Sequence, residues 1–223
     1  AELPKNETPL HEIYRKSVSI PSGKSKEIKN LSELLNVSRR PIIMAGLGAT
    51  KPETAQHIAL LAEKCDALLA TTLPARGLFH NDPFYLGVSG GFASQVTRKF
   101  LSESDLIVAF GASISSHNSD QQKLWPNARV IQITLDPQQF FQGNTVSDQI
   151  IVGDAGQIVA KLLPLIRSKT RVNRTDENAD LIQQTPIDDS DGLTYPDGLN
   201  PSQAVKEINQ SVPVDWEIVN SSG

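Results

Sequence analysis

The sequence predicts an α/β fold: a Rossmann-like, doubly wound six-stranded parallel sheet flanked by helices on both faces. Three observations carry that expectation. Short, continuous apolar runs recur between residues 41 and 152, as strands covered on both faces require. Segments with helical spacing of apolar residues alternate with those runs. The residues that follow the runs are rich in glycine and other small side chains, as needed where a parallel sheet turns into its helices.

In chain order, residues 1–30 are polar and carry Pro4, Pro9 and Pro21, which reads as an extended lead-in. Ile42-Ile43-Met44-Ala45 is the first strand, followed by Gly46-Leu47-Gly48. A helix is expected next, with Thr50 and Glu53 at capping-box spacing, Pro52 in its first turn, and Ala55, Ile58, Ala59 and Ala62 on one apolar face. Ala67 to Thr72 is the second strand and Phe84-Tyr85-Leu86 a short third. A helix from about Phe92 to Leu101 leads into the fourth strand, Asp105 to Phe110. Arg129 to Leu135 and Gln149 to Val152 complete the set, and a helix from about Ala155 to Ile166 closes it. From Ser168 to about Asn200 no periodicity survives, so a long linker is expected. A short helix over Pro201 to Gln210 and a strand-like Trp216-Glu217-Ile218-Val219 follow, too little to form a core.

Composition narrows the function classes. The 223 residues suffice for one substantial domain with tails, and a net charge of −4 gives no general pull toward nucleic acid or anionic membranes. No apolar run approaches the roughly 20 residues that cross a bilayer, and no signal peptide opens the chain. The single cysteine, Cys65, excludes an internal disulfide and suits a cytoplasmic setting; it reads most simply as a small buried apolar residue. The four histidines are scattered without metal-ligand spacing, so no metal site is expected. A start on Ala1 without an initiator Met, and an end on Ser221-Ser222-Gly223, fit a piece of a longer protein.

Ligands of open parallel sheets bind beyond the carboxyl ends of the strands. Here those ends carry Gly46 and Gly48, Thr72 and Leu73, Gly87 to Gly91, and Gly111-Ala112-Ser113. Glycine lets a phosphate approach the backbone, and the helix near Thr50 offers N–H groups and a positive dipole end; short strand-to-helix turns also need glycine for themselves. A dinucleotide fingerprint would place a third glycine at Lys51 and an acid after the second strand, where Thr71-Thr72 stands, so ordinary NAD binding is disfavoured. Asp136, ending the fifth strand, is the candidate for a sugar hydroxyl, or else a turn residue before Pro137. Gly87-Val88-Ser89-Gly90-Gly91 matches the G-x-S-x-G elbow of serine hydrolases, but Asp105 stands at the opposite edge of the sheet and His117 is the only later histidine.

The series of motifs, rather than any one of them, resembles the central domain of thiamine-diphosphate-dependent enzymes, and acetolactate synthase large subunits in particular. It runs through Arg40-Pro41-Ile42-Ile43-Met44-Ala45-Gly46-Leu47-Gly48, Thr71-Thr72-Leu73-Pro74-Ala75-Arg76-Gly77 and Tyr85-Leu86-Gly87-Val88-Ser89-Gly90. Asp105 to Ala112, Ile131 to Asp136 and Ile151-Val152-Gly153-Asp154-Ala155 continue it, so the resemblance covers about 39–165. It implies a parent enzyme, a lyase or transferase acting on 2-oxo acids, with thiamine diphosphate and Mg2+ held by other domains of a homodimer or homotetramer. It divides the chain into 1–30, a lead-in from an amino-terminal pyrimidine-binding domain; 31–167, the central domain; 168–200, a linker; and 201–223, the start of a diphosphate-binding domain. The family's activating glutamate and its G-D-G…N motif have no counterpart here, since Gly153-Asp154-Ala155 lacks the last glycine, so no catalytic residue is expected and the chain alone is expected to be inactive.

In this family the central domain holds FAD, ADP or nothing. By resemblance the cofactor-contacting positions are Gly46, Gly48, Thr72, Leu73, Gly87, Val88, Gly90, Gly111, Ala112, Ser113 and Asp136. Two departures stand out: Ser113 replaces the usual arginine after Gly-Ala, which removes a charged donor to phosphate, and Ser89 replaces a histidine. A stand-alone nucleotide-binding module remains the alternative from a different class, with the hydrolase around Ser89 behind it.

Overall fold

The structure, a computed structural model, describes residues 21–121, 123–136, 147–185, 198 and 200–216. Its strands are β1 Pro41–Ala45, β2 Leu68–Thr71, β3 Tyr85–Val88, β4 Leu106–Phe110, β5 Arg129–Thr134 and β6 Gln149–Val152. All pair in parallel in the order β3-β2-β1-β4-β5-β6, which bears out the doubly wound six-stranded sheet. Ile42 stands opposite Leu68 on one side and Ile107 on the other. The strand order reverses between β1 and β4, the topological switch point where such folds place ligands.

Alternation within the strands builds two cores. Ile43 and Ala45 face α1 (Ser25–Val37), α2 (Pro52–Cys65) and α5 (Ala155–Leu162); Ile42 and Met44 face α3 (Gln95–Glu103) and the stretch around Ile114, Leu124 and Trp125. Each fully buried Ile or Leu contributes about 1.5–3 kcal/mol, which explains why the central strands β1 and β4 carry no polar side chain. Among the described residues no helix is long and apolar enough to cross a membrane.

Three sequence expectations are corrected. The polar lead-in ends earlier than residue 30: Ser22 bridges Gly153 in antiparallel fashion, and α1 begins at Ser25, burying Ile28, Leu31 and Leu35. The capping box of Thr50 and Glu53 does not form. A 3-10 turn, Leu47–Ala49, intervenes; the Thr50 hydroxyl donates to the Leu47 carbonyl, and α2 starts one residue later, with Lys51 as N-cap and Pro52 at the first position.

The expected linker is, in its first half, docked on the sheet. Asp66, in left-handed conformation at the end of α2, accepts from the backbone N–H groups of Val172, Asn173 and Arg174 at 2.7, 2.8 and 3.0 Å. Arg174 is buried, donates to the Ala67 carbonyl and to both Asp82 oxygens, and lies 4.4 Å over the Phe84 ring. Helix α6 (Asp176–Gln184) follows and sets Ala179 and Ile182 against the second core. A short helical turn, α4 (Ser116–Ser119), and α7 (Pro201–Ser211) complete the described elements. Of the strand-like end, Trp216 is exposed and outside regular structure; residues 217–219 lie outside the described residues.

Candidate functional site

All of the sequence-predicted positions fall at or beyond the carboxyl ends of strands, but they do not form one cradle. Gly46, Gly48, Gly111, Ala112 and Ser113 converge at the switch point. The Gly46 N–H donates to the Phe110 carbonyl and the Gly48 N–H to the Gly111 carbonyl, both at 3.0 Å. A Cβ on Gly46 would meet the Ala112 Cα and the Gly111 oxygen at 2.4 Å, and one on Gly111, where φ is +56°, would meet the Gly48 backbone at 2.5 Å. These glycines therefore let two loops of the chain itself come into backbone contact, a demand that precedes any phosphate.

The loop after β3 is fastened to the same centre. Gly90, at φ +109°, brings its backbone so close to the His117 carbonyl that a Cβ would sit 2.2 Å from it. The Ser89 hydroxyl donates to the Asn118 carbonyl at 2.8 Å, and Asn118 Nδ2 donates to both the Ser113 carbonyl and its hydroxyl, at 2.7 and 3.1 Å. Arg98 on α3 clamps the same corner, donating to Gly91, Ala93 and the Asp120 carboxylate, and its guanidinium holds Asp120 below the ordinary carboxylate range. Ser89 is buried and spends its proton on a carbonyl. Asp105 lies at the amino end of β4, tied to Ser38, Arg39 and Arg40. The G-x-S-x-G run is thus a loop junction rather than a nucleophile elbow.

Thr72 is buried beside the centre, its N–H on the Ala45 carbonyl, and Leu73 next to it is half exposed on a 3-10 turn, Leu73–Ala75. Gly87 and Val88 lie out on the edge strand β3; Gly87 lines a groove of about 330 Å3 with Tyr85, Ser94 and Ile182, away from the switch point. Asp136 is exposed past the end of β5, its N–H on the Thr134 hydroxyl. Around this rim large apolar side chains face solvent on the loops after β1, β2, β3 and β5: Leu47 at 67%, Leu73 at 48%, Phe92 at 75% and Leu135 at 52%. Asn118, Arg98 and Gln132, which organise these loops, were not singled out from sequence, because their partners lie 5 to 29 residues away.

With this geometry in place, the comparisons with known proteins decide the family. Residues 28–162, well over half of the chain, match the family described as thiamine pyrophosphate enzyme, central domain. The chain belongs to that family. It is 27% identical over 199 residues to a probable acetolactate synthase large subunit of Methanococcus aeolicus, covering 83% of this chain and 33% of the relative. It is 32% identical over 143 residues to the corresponding Methanocaldococcus jannaschii protein, covering 63% of this chain and 24% of the relative. An acetolactate synthase of Mycobacterium avium is 27% identical over 196 residues, covering 83% and 31%. The chain thus spans about a third or less of the length of these relatives. A solved structure from Mycobacterium smegmatis, described as a candidate thiamin diphosphate-dependent enzyme, shares the fold, with a TM-score of 0.57 and 21% identity over 72% of this chain and 31% of the other.

Proposed function

We propose that this chain is the central domain of a longer thiamine-diphosphate-dependent enzyme, acetolactate-synthase-like and acting on 2-oxo acids, and that its carboxyl rim seats an adenine nucleotide, FAD or ADP. The family match across 28–162 carries the reading. The names of the relatives support the reaction class, and the exposed rim supports the seat: Leu47 and Leu73 would offer apolar cover for a planar ring. The first turn of α2, with Lys51 as its cap, offers N–H groups and positive charge for phosphates. Asp136 offers a carboxylate to a sugar. Ser113, held by Asn118, adds no charge, so phosphate binding rests on backbone dipoles and Lys51.

Thiamine diphosphate, when bound in such an enzyme, supplies the electron sink for breaking or forming a carbon–carbon bond beside a carbonyl. The residues of this chain would shape and support that site without touching the reacting atoms. Thiamine diphosphate and Mg2+ are assigned to other parts of the longer polypeptide; among the described residues, no three His, Cys, Asp or Glu side chains form a group able to hold a metal. The test is to assay the full gene product and this chain separately for 2-oxo acid consumption, with thiamine diphosphate and Mg2+. Turnover by the former alone is expected. Turnover by this chain alone, or none by the full product on any 2-oxo acid, would overturn the reading.

A further inference from the structure

Gln132 Oε1 is, among the described residues, the one buried side-chain polar atom that receives no hydrogen bond. The residue is 4% exposed and sits in the middle of β5, opposite Ala109 of β4 and Ile150 of β6. It alternates with Ile131 and Ile133, so it shares the face of Val130, where the rest of the core is apolar. A hydrocarbon side chain would fill this place without the stranded Oε1, and buried orphan acceptors in native proteins call for a reason.

The other end of the amide supplies one. Gln132 Nε2 donates to the Ala112 carbonyl at 3.0 Å. Ala112 opens the turn on which the rim loops converge: Gly111 receives Gly48, His117 receives Gly91, Asn118 receives Ser89, and Ser113 receives Asn118. The loops after β1 and β3 thus hold that hub from two sides, and the Asn118–Ser113 bond braces it from within. Gln132 holds it from a third side, beneath the end of β5 that leads to Asp136.

We infer that Gln132 is a positioning residue of the nucleotide seat. Together with the Gly111 N–H bond to the Ile133 carbonyl, its grip on the Ala112 carbonyl fixes the tilt of the Gly111–Asn118 turn against β5, and so the placing of Ser113 relative to Asp136. The inference rests on the seat proposed above. It assigns to an amide in the core a role in ligand affinity rather than in stability, since the stranded oxygen offsets what the bond to Ala112 adds to the fold.

The experiment compares the full chain with Gln132→Met, which keeps length and burial while removing both polar atoms; Gln132→Leu serves if Met disorders the sheet. Thermal midpoint, FAD and ADP affinity by calorimetry, and amide exchange over 111–118 are measured together. The expected result is a midpoint little changed, because the orphan Oε1 is lost as the Ala112 carbonyl loses its donor, with exchange in the turn several-fold faster and affinity lower by about tenfold, the scale of one lost contact. Wild-type affinity in the variant, or a midpoint that falls in step with affinity, overturns the inference and leaves the seat standing. No binding of either nucleotide by the wild type overturns the seat, and this inference with it.

Discussion

Replacing Arg174 with methionine tests whether the stretch after α5 belongs to the fold or merely trails from it. The Arg174 side chain is 6% exposed and its partner Asp82 16%. Methionine keeps most of the apolar stem over Phe84 but removes the donors to the Ala67 carbonyl and to Asp82, whose carboxylate is left with the Phe84 N–H. Removing one partner of a buried pair costs about 3–5 kcal/mol, and the residual exposure of Asp82 places this case near the lower figure. For a chain of this size that is roughly 6–12 °C in thermal midpoint. Arg171→Met is the control: its partner Glu63 is 55% exposed, and exposed pairs contribute about 0–1 kcal/mol. Changing Asp82 to leucine alongside Arg174→Met should recover much of the loss, because no unpaired charge remains. The assay is thermal and urea unfolding followed by circular dichroism. An Arg174→Met midpoint indistinguishable from that of Arg171→Met would refute the reasoning and return 168–185 to the status of a linker.

Three further outcomes follow from the geometry. Gly111→Ala should lose more than about 2 kcal/mol or fail to fold, because positive φ and a 2.5 Å backbone clash act together; Gly77→Ala, at φ +83° with nothing within 4 Å, should lose only about 1 kcal/mol, both read by urea unfolding. Burial pushes the Cys65 thiol up to about 12, so iodoacetamide at pH 8 should label it only after denaturation, as mass spectrometry would record. Burial alone would raise the Asp105 carboxyl, but the bonds from Ser38, Arg39 and Arg40 outweigh it and hold it below its ordinary value. A depressed folded-state value contributes stability that is present above the unfolded value near 4 and lost as pH falls through the folded one. Asp105→Asn should therefore be less stable at pH 7 and show a shallower acid limb in a stability–pH curve; an unchanged limb would contradict this.

The strands were legible because their burial on both faces leaves only one kind of sequence, a short apolar run, and Ile42 to Ala45 or Leu106 to Phe110 could hardly be read otherwise. The rim glycines were legible as necessary but not in their use, since Gly46 and Gly48 are explained by Gly111 and Ala112, more than sixty residues away. Ile28, Leu31 and Leu35 carried a helical period that straddled the expected boundary of the lead-in. The docked stretch 168–185 was illegible for a physical reason: it is held mainly by backbone N–H groups on the Asp66 carboxylate and by the Arg174 pair, and neither leaves an apolar pattern. Gln132 hid inside an alternating strand, where a polar residue ordinarily marks a solvent-facing position.

The most direct test of the proposed nucleotide seat is calorimetric titration of the purified chain with FAD and with ADP, with flavin fluorescence alongside. Saturable one-to-one binding of FAD or ADP, weakened by Asp136→Ala and by Lys51→Ala, is the predicted result. Heats indistinguishable from dilution for both nucleotides would contradict the seat and leave the carboxyl rim as a surface for protein contact alone.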